Sequence, residues 1–194
     1  MRTFIEHARS FPARAAAQGE RLDRHAAGQS PFALFVTCSD SRVVPSLITG
    51  ARPGELFELR TAGGIVPAYS LDRPTGEAAT IEFAVRGQGV ADIIVCGHSQ
   101  CAAVNALVQG DDLPAVPAMG RWLSQAAEPP AAENGDLSHA IQRHVLAQLD
   151  RLRAYPAVRE RLDEGRLGLH GWFYEVHTGR VLAHRSSDDT FPPL

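Results

Sequence analysis

At 194 residues, with 44% hydrophobic and 21% charged side chains, the chain has the size and composition of one globular domain with a substantial core. Its formal net charge of −3 implies no basic face for nucleic acid, and no apolar run approaches the roughly 20 residues of a membrane span. The amino-terminal MRTFIEHARSFPARAAAQGERLDRH is too charged to hold the apolar centre of a secretory signal, so a cytoplasmic protein is expected.

Residues 1–27, rich in Ala, Arg and Glu, read as one or two helical segments forming an arm to a single domain over 1–194. PFALFVTC (31–38) is a short apolar run ending in polar residues, which suits a strand buried on both faces. ELFELRTAGG (55–64) repeats that pattern and breaks at Gly63-Gly64. GEAATIEFAVRGQG (76–89) sets Ala79, Phe83 and Ala84 at helical spacing, with Gly87 and Gly89 after its end. ADIIVCGHSQCAAVNALV (91–108) reads as a strand, a turn and a helix. Pro114, Pro117, Pro129 and Pro130 keep any helix around Arg121-Trp122-Leu123 short.

Residues 137–154 predict an amphipathic helix, with Ile141, Val145, Leu149 and Leu152 on one face. PAVRERLDEG from Pro156 starts another helix. LGLHGWFYEVHTGRVLAHR (167–185) reads as two strands joined at His177-Thr178-Gly179 in a hairpin. Strands alternating with helices in this way call for a mostly parallel α/β sheet.

Cys38, Cys96 and Cys101 are three cysteines, an odd number that argues against a disulfide framework and towards metal or catalytic use in a reducing compartment. Ligands of open parallel sheets gather beyond the carboxyl ends of the strands. Cys38 ends one predicted strand, and His98 and Cys101 follow another, so the three converge if those strands are neighbours. Two thiolates and an imidazole form a borderline-soft set that selects zinc, and three protein ligands leave the fourth position open, as in catalytic sites. Asp40 then either accepts a hydrogen bond from a water on the ion, oriented by Arg42, or is itself the fourth ligand that closes the site. Cys96 lies inside IIVC and reads as a buried strand residue. His7, His25, His139, His144, His170, His177 and His184 read as surface, capping or hydrogen-bonded core residues, His170 being the one most tied down by its neighbours.

CSDSRVVP (38–45) followed by CGHSQC (96–101) resembles the β-class carbonic anhydrases. LFELRTAGGIVP is similar to that family's strand and loop, TIEFAVRGQGVADIIVCGHS to its helix and next strand, and VLAQLDRLRAYPAVRERLDEGRLGLHGWFYEVHTGRVL to its closing helices and hairpin. The resemblance implies reversible hydration of carbon dioxide to bicarbonate and a proton, by attack of zinc-bound hydroxide on carbon dioxide in a small apolar pocket. It implies Zn2+ on Cys38, His98 and Cys101, with Asp40 and Arg42 as the catalytic dyad. It also implies a parallel sheet with one antiparallel edge strand, helices on both faces, and an arm (1–27) that packs a homodimer or a dimer of dimers.

The chain departs from the family pattern at two places. Ala102-Ala103 stands where Gly usually follows the second cysteine, and Arg60-Thr61-Ala62-Gly63-Gly64 replaces the usual Arg-Asn-Ala-Gly-Asn. Phe35 lies where some members carry the tryptophan of a regulatory bicarbonate site, so that site finds no support. Two further readings keep the scaffold: a hydrolase of carbonyl sulfide or carbon disulfide, and a zinc-binding regulatory protein whose catalysis has lapsed. The presence of both Asp40 and Arg42 argues against the second.

Overall fold

Leu34, Phe35, Val36 and Thr37 are aromatic, β-branched or aliphatic in an unbroken row, and in the computed structural model, which describes residues 1–126 and 136–194, they lie in β1 (Ala33–Cys38) with every residue buried. Such a run fits only a strand with neighbours on both sides and cover on both faces. β1 pairs in parallel with β2 (Leu56–Thr61) and with β3 (Asp92–His98), β3 pairs in parallel with β4 (Gly168–Tyr174), and β4 pairs antiparallel with β5 (Val181–Ala183). The order among the described residues is β2-β1-β3-β4-β5, a mostly parallel sheet with one antiparallel edge strand. One expectation is corrected here. β2 is not buried like β1: Glu58 and Arg60 are exposed, because β2 is the edge strand of the sheet.

From β1 the chain steps to one side to make β2 and then crosses to the other to make β3, so the carboxyl ends of β1 and β3 flank the point where the winding reverses. That crevice is where an open α/β sheet binds ligands. The helices between the strands are α2 (Pro45–Thr49), α3 (Gly76–Glu82), α4 (Ala102–Gln109), α5 (Pro117–Leu123), α6 (Leu137–Arg153) and α7 (Pro156–Asp163). α3 runs on into a π-turn at Phe83–Gly87. α5 has seven residues, as the prolines required; Pro129 and Pro130 lie outside the described residues.

Helix α6 sets the distance between core and site. Ile141, Val145, Leu149 and Leu152 are each at most 3% exposed, on the face the periodicity assigned. Gly97 lets α6 approach β3 closely: a Cβ there would lie 2.7 Å from Val145 Cγ2 and 2.8 Å from Ile141 Cγ2. His144, on the same helix, is carried towards the carboxyl end of the sheet by that approach. One apolar cluster joins α3, α6 and α7 to Leu34, Val36, Ile93 and Val95, and another holds Ala33, Phe35, Ile94 and Cys96 with Trp172 packed against them.

Met1–Ser30 forms a compact unit of its own, and Pro31–Leu194 a second. In the first, α1 (Arg2–Ala17) is followed by a 3-10 turn at Leu22–Ala27. Ala15 is its buried residue, while Phe4, Ile5 and Phe11 are exposed.

Candidate metal centre

β1 ends on Cys38 and β3 on His98, and the two strands are adjacent and in register from Ala33↔Asp92 to Thr37↔Cys96. His98 is thus the last residue of its strand rather than part of the turn beyond it. The chain then reverses through Ser99 and Gln100, the latter at φ +59°, and delivers Cys101 to the start of α4. The two sulfurs and a ring nitrogen of His98 lie within 4.8 Å of one another, all on buried residues. The sulfurs are 4.0 Å apart, about twice a disulfide bond length, and both thiols are free.

Each group is held from behind. His98 Nδ1 meets the Ser99 carbonyl at 3.0 Å, which makes Nδ1 the protonated nitrogen and leaves the lone pair on Nε2. Nε2 is buried with no hydrogen-bond partner. An orphaned buried acceptor beside two sulfurs is costly unless a cation meets it. Cys38 Sγ accepts a hydrogen bond from the Gly63 N–H at 3.4 Å. The Arg60 guanidinium donates to the carbonyls of Cys38, Asp40 and Val43, at 3.2, 2.9 and 2.8 Å from Nη2, and so fixes the loop that follows β1.

Asp40 faces the cluster, its Oδ2 3.9 Å from His98 Nε2, but its oxygens are taken by Arg42 through Nε, Nη2 and the backbone N–H. Hydrogen bonds from the Arg42 side chain hold the Asp40 carboxyl well below the usual carboxylate range. The hydrogen bond from Cys101 pulls the Cys38 thiol down, and the Cys38 sulfur pushes Cys101 up. Sulfur binds a metal as thiolate, so a cation arriving between the two would displace the protons they carry.

The donor set fits a metal ion. Tetrahedral bonds of about 2.3 Å to two sulfurs place them about 3.8 Å apart, close to the distance found. Among the described residues this is the cluster of Cys, His, Asp and Glu atoms able to hold an ion. Cys96 stays apart, buried in β3 with its thiol pushed up to about 12 by desolvation. Six of the remaining histidines follow the reading given them: His144 is a hydrogen-bonded core residue, His170 pairs with Asp92 at 2.7 Å and His184 with Asp189 at 2.8 Å, and His7, His25 and His177 are exposed; His139 departs from it, half-buried with its Nδ1 unpartnered.

Several contributors were not singled out from the sequence. Gly63 and Arg60 were read as part of a strand, its break and the family loop, without a contact of their own, and Gln100, Trp122 and His144 had no assigned task at the site. Gln100 supplies its side-chain oxygen and its carbonyl to Arg42, each at 3.4 Å. The departures at 61 and 64 are locally satisfied: Thr61 Oγ1 donates to the Ile65 carbonyl at 3.1 Å, and Gly64 occupies φ +64°, a left-handed position that glycine adopts without cost.

A soft-donor cluster able to hold a metal, at the reversal point of a parallel sheet, defines the class: an α/β protein with a buried Cys-His-Cys group. A family profile described as carbonic anhydrase matches residues 33–181. The chain is 44% identical over 174 residues to a carbonic anhydrase of Pseudomonas aeruginosa, covering 86% of this chain and 79% of that one. It is 38% identical over 203 residues to a carbonic anhydrase of Synechococcus elongatus, covering 98% and 74%. It superposes on the solved β-carbonic anhydrase CcaA with a TM-score of 0.91 at 34% identity, over 100% of this chain and 99% of that one. The chain belongs to the β-carbonic anhydrase family of enzymes.

Proposed function

We propose that the protein is a zinc enzyme that reversibly hydrates carbon dioxide to bicarbonate and a proton, with Cys38, His98 and Cys101 holding the ion. The observation that carries this reading is the unpartnered His98 Nε2 beside two sulfurs 4.0 Å apart, with the Asp40–Arg42 pair at the rim. When bound, zinc supplies a Lewis acid that acidifies water near neutral pH, moderated here by the charge of two thiolates.

The rest is done by the chain. Asp40, kept ionised by Arg42, is an acceptor only; it takes a hydrogen bond from the water that adds to carbon dioxide and turns a lone pair of that water towards the carbon. The fork from Arg42 supports this role over that of Asp40 as a fourth ligand, since both carboxylate oxygens are already engaged. Ile65, Ala103 and Val104, buried in one cluster with Cys38 and Cys101, offer an apolar wall to a linear uncharged substrate. One oxygen of water is added, one proton leaves to buffer, and bicarbonate departs.

Three free, buried cysteines support a reducing, cytoplasmic setting, and no helix among the described residues is long and apolar enough to cross a membrane. The exposed Phe4, Ile5 and Phe11 support α1 as an arm for a homodimer; a solved relative from Sordaria macrospora, at TM-score 0.78 and 28% identity over 94% of this chain and 97% of that one, is tetrameric.

Stopped-flow carbon dioxide hydration by the zinc-loaded protein tests the reading. Turnover well above buffer is expected at neutral to mildly alkaline pH, and a rate equal to buffer throughout would sink it. Running carbonyl sulfide and carbon disulfide alongside ranks the substrates.

A further inference from the structure

The loop after β2 is short of intrinsic order. Gly63 and Gly64 sit in succession at φ +76° and +64°, where the backbone has no side chain to anchor it. Yet this loop must present one N–H to one sulfur: Gly63 N reaches Cys38 Sγ at 3.4 Å. Something outside the loop has to fix it.

Two side chains do so, from two different helices. The indole Nε1–H of Trp122, on α5, donates to the Ala62 carbonyl at 2.8 Å. That carbonyl and the Gly63 N–H belong to the same peptide group. The three form one chain, from indole N–H through a polarised peptide to the cysteine sulfur, and bonds in such a chain strengthen one another. His144, on α6, meets the next carbonyl, that of Gly63, at 2.9 Å. Because a carbonyl only accepts, His144 Nε2 carries the proton there. Burial holds His144 below its ordinary pKa, consistent with a neutral ring. Gln148, one turn further along α6, donates to the His144 carbonyl at 3.3 Å and accepts from Val66 N at 2.9 Å, so the loop is held at its far end too.

We infer that Trp122 and His144 are positioning residues of the metal centre: by clamping the carbonyls of Ala62 and Gly63 they deliver the Gly63 N–H to Cys38 and set how strongly that sulfur donates. The inference rests on the reading of Cys38 as a metal ligand. A sulfur that accepts a hydrogen bond gives less charge to its ion, and groups behind the ligands commonly change metal affinity by an order of magnitude or more.

The test uses the cobalt-loaded protein, read by its sulfur-to-cobalt charge-transfer absorption and by the rate of cobalt loss to a chelator. Trp122→Phe keeps the ring and removes the donor. The expected result is a band shifted to longer wavelength, as the sulfur is freed, and cobalt loss faster by about tenfold, because the loop no longer holds that sulfur in place and the lost positioning outweighs its stronger donation. His144→Ala should shift the band the same way, and His144→Asn, whose amide also donates, should bring it back. A folded Trp122→Phe protein with the wild-type band and release rate, and only a lower unfolding temperature, overturns the inference and leaves both residues as packing. If Trp122→Phe does not fold, the His144→Ala and His144→Asn pair decides it in the same way. A wild-type protein with no charge-transfer band at all would instead remove Cys38 as a ligand, and both readings would fall together.

Discussion

Arg42 grips Asp40 as a fork, with Nε 2.9 Å from Oδ1 and Nη2 2.8 Å from Oδ2, and its own backbone N–H adds a third bond to Oδ1 at 2.9 Å. An acceptor so held cannot easily swing to a ligand position, nor can it be protonated near neutral pH. Asp40→Asn keeps the shape but turns one acceptor into a donor. The expected outcome is a loss of roughly 10²–10⁴ in kcat/KM for carbon dioxide hydration with zinc content unchanged. Arg42→Lys, which replaces the fork by a point charge, should lose less. Stopped-flow rates beside elemental analysis check both, and an Asn variant at the wild-type rate would take Asp40 out of the chemistry.

The three cysteines divide into two kinds, and metal content should show it. Cys38→Ser, His98→Ala and Cys101→Ser each break the buried donor set, and purified protein should carry far less than one zinc per chain. Cys96→Ala should retain full zinc, because Cys96 packs in the apolar cluster with Ala33, Phe35 and Ile94, its thiol donating to the Gly97 carbonyl at 3.4 Å, outside the donor set. Its cost is a packing loss of about 1 kcal/mol, measurable by denaturant unfolding. Loss of zinc from Cys96→Ala would mean that the donor set had been drawn wrongly.

Much of this was legible in the sequence because the site residues sit where strands end. Cys38 closes an apolar run and His98 closes another, and parallel neighbours with aligned ends bring such residues together by geometry alone. The strand and helix periods were equally plain, since α6 shows its buried face every three or four residues. β2 misled because an edge strand and a central strand share the same apolar run, and only pairing order separates them. The support behind the ligands was not legible at all. Trp122 meets Ala62 across 60 positions and His144 meets Gly63 across 81, through backbone carbonyls that every residue possesses. No residue type marks such a partner in one sequence.

His144 gives a pH signature. Burial lowers its pKa in the folded state, whereas the unfolded chain binds a proton at about 6.5. The favourable contribution is therefore complete above pH about 6.5 and is lost as pH falls below it, because only the unfolded state gains the proton. Between about pH 7 and 5.5 the wild type should lose more unfolding free energy than His144→Asn. Denaturant titrations of both proteins at the two pH values measure it; parallel slopes would show that His144 protonates in the folded state.

The arm makes a prediction about mass. Phe4, Ile5 and Phe11 are 75%, 46% and 47% exposed on α1, large apolar side chains of the kind that interaction surfaces present. Deleting residues 1–30, the unit that ends at Ser30, should shift the light-scattering mass from an oligomer towards a monomer. An unchanged mass would refute pairing through the arm.

The loop that carries the Gly63 amide should be intolerant of a single methyl, for two separable reasons. Gly63 stands at φ +76°, which costs an L-residue about 1–2 kcal/mol. A Cβ there would also lie 3.2 Å from Ala103 Cβ, tighter than relaxed packing allows. Gly63→Ala should therefore destabilise by more than the backbone cost alone. In an Ala103→Gly background the contact is gone and only the backbone cost remains, so the penalty of Gly63→Ala should shrink. The difference between the two backgrounds, read from denaturant midpoints at constant slope, is the coupling between the residues. Equal penalties in both backgrounds would show that α4 yields to the methyl, and that the loop is pressed into place by its carbonyl partners rather than by Ala103.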